Sequence, residues 1–343
     1  MTIITALLVI AVIILVHELG HFLVAKRVDI EVNEFSLGFG TKLLAFKKGE
    51  TQYSLRILPL GGYVRMAGMV EEEKPNPRGF AEKTPGQKMA VSFAGPAMNF
   101  VLAIIIFIYT FTFVGTPQIL NNAVVGDVIE GRPAYEAGIR SGDHITTVNG
   151  VEVATWDAFT EQIREVAPGK PMEITLERKG QILELVVIPE LDETRGISVI
   201  GVTAPVVFEK VGVWEGLKMG FYQTFEITWL IMVGLGQLIT GAASTADLAG
   251  PVGITKMIGD AAAGGLVYLA NFTALLSINL GILNLLPIPA LDGSRIIFAG
   301  IESLRGRPLE PEKENMIHFL GFIFLMLLIV VVTYNDILKL FRG

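Results

Sequence analysis

Five stretches of this 343-residue chain contain no Asp, Glu, Lys or Arg at all: residues 1–17, 89–126, 227–246, 261–291 and 315–335. Four of them hold an apolar run close to the roughly 17–25 residues that carry a helix across ~30 Å of hydrocarbon. With 51% of residues hydrophobic and 18% charged, the chain has fewer charges than a soluble enzyme, where about 25% is usual, and too much apolar surface to stay disordered. The expected class is a polytopic α-helical membrane protein with four transmembrane helices, at 1–24, 89–116, 261–291 and 315–335. A cleaved signal peptide is the other reading of residues 1–17. Against it, no Lys or Arg precedes the apolar run, no small-residue cleavage site follows it, and it continues directly into His17-Glu18.

The segments between these spans differ in charge. Residues 122–215 carry 16 acidic and 8 basic side chains and read as a soluble insert. Its apolar residues come in short runs, Ile145–Val148, Met172–Leu176 and Ile182–Ile188. Turn signals at Ser141-Gly142-Asp143, Asn149-Gly150 and Lys179-Gly180 separate them, and one amphipathic helix fits Trp156–Val166. Residues 22–89 hold 11 Lys or Arg against 8 Asp or Glu, which by the positive-inside rule places the 25–88 loop in the cytoplasm and the acidic insert outside. Strand-like runs at Val32–Phe35, Leu43–Phe46, Thr51–Leu58 and Tyr63–Met66 predict a β element within that loop. The sequence pI near 5.3 argues against nucleic acid as a partner. Cysteine is absent, so a disulfide framework, a thiolate metal site and a cysteine nucleophile are all excluded. Any metal must be held by His, Asp and Glu, and there are only four histidines.

Two of those four fall in His17-Glu18-Leu19-Gly20-His21, inside the first apolar run. On a helix, positions i and i+4 share a face, so both imidazoles can reach one zinc ion while Glu18 serves an attacking water as general base. The plainer reading is a satisfied histidine pair with Glu18 snorkelling at a helix end. Ionisable groups at membrane depth cost about 2.5–3.5 kcal/mol each on insertion scales, and a metal would offset that cost. Catalytic zinc needs a third protein ligand. His144 falls in a turn of the outer insert. Asp292 is the first acid after the uncharged stretch 261–291 and follows a helix stop made by Pro287 and Pro289. It can be a ligand, or the N-cap of a helix over Ser294–Ser303. His318, at the start of the last span, is the other candidate ligand.

The motif has company. His17–His21, Gly38-Phe39-Gly40, Pro59-Leu60-Gly61-Gly62-Tyr63-Val64, Phe93-Ala94-Gly95-Pro96-Ala97-Met98-Asn99-Phe100, Gly250-Pro251-Val252-Gly253-Ile254 and Asn284–Gly293 follow in this order along nearly the whole chain. Together they resemble the site-2 protease family of zinc intramembrane metalloproteases, in its bacterial RseP-type branch. The resemblance implies one zinc ion per chain held by His17, His21 and Asp292, with Glu18 as catalytic acid/base. It also implies that Asn284, with Pro287 and Pro289 of the same motif, lies beside the bound substrate backbone. The substrates would be single-pass membrane proteins, anti-sigma factors or remnant signal peptides, already cut once by another protease and then cleaved within their transmembrane segment. The site of action would be the bacterial cell membrane, with the active site toward the cytoplasm.

Arg132–Asp143 and Ile145–Gly150 resemble a PDZ domain, expected over 122–206 on the extracytoplasmic side. In this family the PDZ strands are permuted, which would make Ile200, Gly201 and Val202 the peptide-carboxylate loop. The other reading is a domain that only obstructs bulky substrates. Members best known from Gram-negative bacteria carry two PDZ domains, whereas 122–215 has room for one. The family places a β element such as 30–66 against the membrane, where a free edge can clamp an unwound substrate by strand addition. A catalytically silent zinc-binding scaffold and a PDZ adaptor are the alternatives, and Glu18 beside two histidines discriminates against both. Parity assigns 207–260 to an interfacial or re-entrant helical region and 292–314 to a cytoplasmic loop. Were 227–246 a crossing, span 261–291 would run back outward and Asp292 would emerge opposite His17 and His21.

Overall fold

A computed structural model describes residues 2–69, 76–192, 196–242 and 249–342. It falls into two units, Met1–Phe113 with Gly212–Gly343, and Val114–Val211. In the first unit, α1 (Thr2–Arg27) is an unbroken apolar run that ends where Lys26 and Arg27 meet the negative end of the helix dipole and Asp29 turns left-handed at φ +56°. Two long strands follow, β1 (Val32–Lys48) and β2 (Thr51–Met66). Each bends near its glycines, Gly38 and Gly40 taking φ of +90° and +84°, so the pair folds into four segments. Residues 34–37 pair with 62–65 on one side and 52–55 on the other, and 51–56 pair onward with 42–48. These four segments correspond to the four strand-like runs of the sequence, and 62–66 is left at an edge.

Beyond the bend the sheet turns apolar side chains outward, Leu43, Leu44, Phe46, Ile57 and Leu58 all being more than half exposed. Its base is polar and buried. Glu34 accepts from Ser54 Oγ (2.6 Å) and Arg56 (2.8 Å), and Arg56 also bonds the Tyr63 hydroxyl (2.6 Å). Burial would raise the Glu34 carboxyl, but the hydrogen bonds from Ser54 and Arg56 outweigh it and hold the group at about 2.

α2 (Pro85–Tyr109, continued by a wide turn over Thr110–Val114) starts at a capping box, with Thr84 and Gln87 bonded reciprocally and Pro85 in the first turn. It runs antiparallel to α1: His21 lies beside Val91 and His17 beside Asn99. Small residues set the spacing, since a Cβ on Gly20 would overlap the Ala94 carbonyl.

The second unit opens with β3 (Thr116–Ile119) and the single turn α3 (Pro133–Glu136). Its sheet is built from β4 (His144–Val148), β5 (Val151–Glu152), β6 (Met172–Arg178) and β7 (Gln181–Val187) in the order β5-β4-β6-β7. The predicted turns close both hairpins, Asn149-Gly150 at φ +48° and +77° and Lys179-Gly180 at +53° and +79°, left-handed pairs whose twist suits a two-residue loop. Between β5 and β6, α4 (Trp156–Glu165) is capped by Thr155 and buries Phe159 and Ile163 against Ile145, Ile174 and Leu176. After β8 (Glu190–Asp192) and β9 (Ile197–Val199), β10 (Val206–Glu209) pairs with β3, Thr116 opposite Glu209. The unit is thus longer at both ends than the predicted 122–206, because β3 and β10 zip its entry to its exit.

The chain then continues as α5 (Val213–Thr240), a continuous helix where the sequence predicts an interfacial region. Gly216 lies against Thr112 and Gly220 against Ile108, so α5 starts at the end where α2 finishes. Residues 243–248, within the predicted 207–260 region, lie outside the described residues. α6 (Pro251–Ala263) and α7 (Leu266–Leu285) divide the predicted span 261–291. A lack of charge does not register a backbone break, and here Gly264 and Gly265, the latter at φ +109°, interrupt the helix. α7 is antiparallel to α2, with Ser277 Oγ bonded to the Asn99 carbonyl (2.9 Å) and Gly281 against Pro96, and so parallel to α1. Gly259 of α6 touches Thr2. α5 therefore begins, and α6 finishes, at the level where α1 begins.

α8 (Asp292–Arg305) occupies most of the predicted loop 292–314 and is tied to α2 by Lys88 and Glu302 at 2.9 Å. α9 (Pro311–Arg342) sets its Asp336 carboxylate on the Gly250 and Gly253 amides (3.1 and 2.8 Å), capping α6 from another helix. Among the described residues, α1, α2, α7 and α9 are the helices long and apolar enough to cross a membrane.

Candidate metal centre

Three side chains from two helices converge where α1, α2 and α8 meet. His17 Nε2 lies 3.1 Å from His21 Nε2 and 3.1 Å from Asp292 Oδ2, and His21 Nε2 lies 3.3 Å from the same carboxylate oxygen. Both histidines are buried. The helical period brings the imidazoles together, and the approach of α2 closes the site from behind. A Cβ on Gly95 would run into both Nε2 atoms. Asp292 takes the first helical position of α8, and Leu291 occupies the cap with no side-chain cap bond, so the carboxylate is turned to the histidines instead of back onto its own helix.

The donor set fits zinc. Two donors ~2.0–2.1 Å from one ion at tetrahedral angles stand about 3.3 Å apart, the size of this triangle. His21 Nδ1–H donates to the Val91 carbonyl at 2.7 Å, which leaves a lone pair on Nε2. The partner of His17 Nδ1 is the Asn99 amide, its nitrogen 3.3 Å away while its Oδ1 is buried without a partner. The two ends of an amide have the same shape. With the amide turned over, Oδ1 gains the Nδ1–H of His17, and the second Nε2 lone pair also faces the centre.

The cluster opens into a cavity of about 380 Å³ whose walls include Glu18, Gly61, Gly62, Tyr63, Asn284, Asp292 and Arg295. Gly62 lets the edge segment 62–66 pass close to Glu18, a Cβ there standing 3.3 Å from Glu18 Cγ. Asn284 lines this cavity. Pro287 and Pro289 are not among its walls, and Pro289 packs against Gly321 of α9 instead. His318 does not join the cluster, because its Nδ1 is engaged by the Ala290 amide at 3.0 Å.

One polar group of the site, Arg295, has no place in the sequence reading, and another, Asn99, has its role there but not its partner. Arg295 follows Asp292 by three residues, one helical turn, a spacing that could have revealed it. Asn99 belongs to the Phe93–Phe100 motif, where its amide suits a hydrogen bond between helices, but its partner His17, 82 positions away, was not legible. In the second unit, Ile200, Gly201 and Val202 line a separate cavity of about 410 Å³ together with Arg132 and Arg164. The Ile200 and Gly201 carbonyls accept from the Ala134 and Ile129 amides, Val202 bridges to Val128, and the Ile200 side chain is buried.

The sequence profile of peptidase family M50 matches residues 5–328. The chain is similar to zinc metalloprotease RasP of Geobacillus kaustophilus, 36% identical with 99% of this chain and 98% of that protein covered. It is also similar to regulator of sigma-W protease RasP of Bacillus subtilis, 34% identical with 99% of each covered. Both alignments run over 420 positions against 343 residues here, so those relatives carry segments that this chain lacks. Among solved structures, the PDZ domain of the SdrC-like protein from Listeria monocytogenes covers 26% of this chain and 93% of its own, at 19% identity and a TM-score of 0.23.

Proposed function

The chain belongs to peptidase family M50 and is a zinc metalloprotease of the site-2 type, and from that premise we propose that His17, His21 and Asp292 hold one zinc ion per chain while Glu18 is the acid/base of peptide hydrolysis. The observation that carries this reading is the convergence of the three donor atoms, 275 positions apart in sequence for His17 and Asp292, on a cavity that Glu18 also lines. Zinc bound there would polarise the scissile carbonyl and lower the pKa of water. Glu18 takes the proton of the attacking water and returns it to the leaving amide nitrogen, so no covalent intermediate is required.

A transmembrane substrate hides its peptide bonds inside the i to i−4 ladder and must be unwound before it is cut. The free edge of 62–66 supports strand addition as the holding device, since a strand laid along it passes beside Glu18. Single-pass membrane proteins, shortened first by another protease, are the proposed substrates, and Asn284 a contact to their backbone. The basic balance of residues 22–89 supports a cytoplasmic active site, with Val114–Val211 extracytoplasmic as a single PDZ domain that filters by size or receives a peptide in the cavity lined by Ile200–Val202.

The test is purified protein in detergent with a helical membrane substrate, with and without chelator. Cleavage that stops on chelation and returns with zinc is expected, and cleavage indifferent to chelator sinks the reading. A silent scaffold or an adaptor has no use for a carboxylate in this cavity, and the position of Glu18 favours the enzyme.

A further inference from the structure

Asp292 is delivered to the histidines by an improbable turn. α7 stops at Leu285, and Ala290 then takes φ of +78°, a left-handed conformation that a residue with a Cβ avoids. Such a turn persists only where its surroundings hold it. Here they do so from two directions. Gly293 lies so close to the Leu285 and Leu286 carbonyls that a Cβ would overlap both, which fixes the far side. The near side is held by α9. His318 Nδ1 accepts the Ala290 amide at 3.0 Å, and one turn later Gly321 lies against Pro289 with no room for a Cβ.

The His318 ring is placed for this bond at some cost to itself. Accepting at Nδ1 requires the neutral ring to carry its proton at Nε2. Among the described residues Nε2 has no hydrogen-bond partner, and it faces Glu314 Oε1 at 3.8 Å, an ion-pair contact longer than a hydrogen bond. The ring also stands edge-on to Phe298 of α8 with centroids 5.4 Å apart, so both its tilt and its depth are set. The one hydrogen bond the ring makes among the described residues is therefore the one that holds the strained turn.

We infer that His318 is a positioning residue of the metal centre: by accepting the Ala290 amide from α9 it holds the left-handed turn that aims the Asp292 carboxylate, and so sets how tightly zinc is bound. The inference rests on Asp292 being a ligand.

The experiment measures zinc affinity of the purified full chain by competition with a chromogenic chelator. His318→Leu removes the acceptor and weakens zinc about tenfold or more, whereas His318→Asn, whose Oδ1 stands where Nδ1 stood, stays within about threefold of the parent. Gly321→Ala leaves the ring untouched, pushes on Pro289, and weakens zinc in the same direction. Asp292→Ala is the reference and loses zinc outright. Unchanged affinity in Gly321→Ala, or in a folded His318→Leu, overturns the positioning role. So does a His318→Asn protein as weak as His318→Leu, because the acceptor then does not matter. Zinc retained by Asp292→Ala instead overturns the ligand assignment on which the inference stands.

Discussion

Glu18 and the two histidines could be read from their spacing because a helix turns i and i+4 to one side, and that relation is purely local. Glu18→Gln keeps size and hydrogen bonding and removes the base. The expected outcome is full zinc content with proteolysis reduced at least ~10²–10⁴-fold, and a purified variant cutting near the parent rate would falsify the acid/base role. Asp292 could be narrowed only to ligand or cap, since both explain an acid at a helix start. The choice depends on whether Leu291 or Asp292 is the cap of α8, which no composition rule decides. Asn99 was legible as an interhelical hydrogen-bonding residue but not as the partner of His17, which lies on another helix. Replacing Asn99 by Leu leaves the His17 tautomer unheld, and zinc affinity should fall about 10–100-fold in a chelator competition. An unchanged affinity would mean that Asn99 only packs.

Among the elements, uncharged runs revealed α1, α2, α7 and α9 but made α7 too long, since its start is set by Gly264-Gly265, a backbone property that carries no charge signal. The glycines of α2 matter for the opposite reason, closeness. Gly95→Ala places a methyl on the two Nε2 atoms, and the expected result is a folded helix pair that no longer retains zinc, checked by metal analysis beside circular dichroism. For the β element, the folded Glu34 group lies at about 2 against an ordinary 4.5. Its contribution to stability is therefore complete above pH ~4.5 and is lost as pH falls through the folded value. Glu34→Gln should lower the thermal midpoint at neutral pH, with the difference shrinking toward pH 2. A difference that grows on acidification contradicts the assigned sign. The four strand segments were visible as alternation, while their bent, two-sided pairing was not, because pairing partners are set by the glycine bends.

At the scale of the molecule, the composition boundary near 122–215 identified an insert, and the β3–β10 ladder explains how a membrane protein tolerates it. Deleting 125–203 should preserve zinc and hydrolysis while relaxing the size limit on substrates; a folded, zinc-loaded deletion without activity would make the insert part of the catalytic assembly. Absence of native cysteine permits single-cysteine labelling. A cysteine at Asp260 should label from outside intact cells and one at Ser303 should not, and the reverse pattern refutes the proposed sidedness. One contact also bears on the order of events during synthesis. The cap of α6 is the Asp336 carboxylate, borne by a helix translated some eighty residues later. While the ribosome is still working between the two, the amides of Gly250 and Gly253 have no anion to meet, and α6 lacks a contribution of about 0.3–1 kcal/mol to its first turn. The last helix of the chain thus completes the first turn of α6, a helix whose other side packs on α1, so α6 reaches its final stability only once α9 has docked.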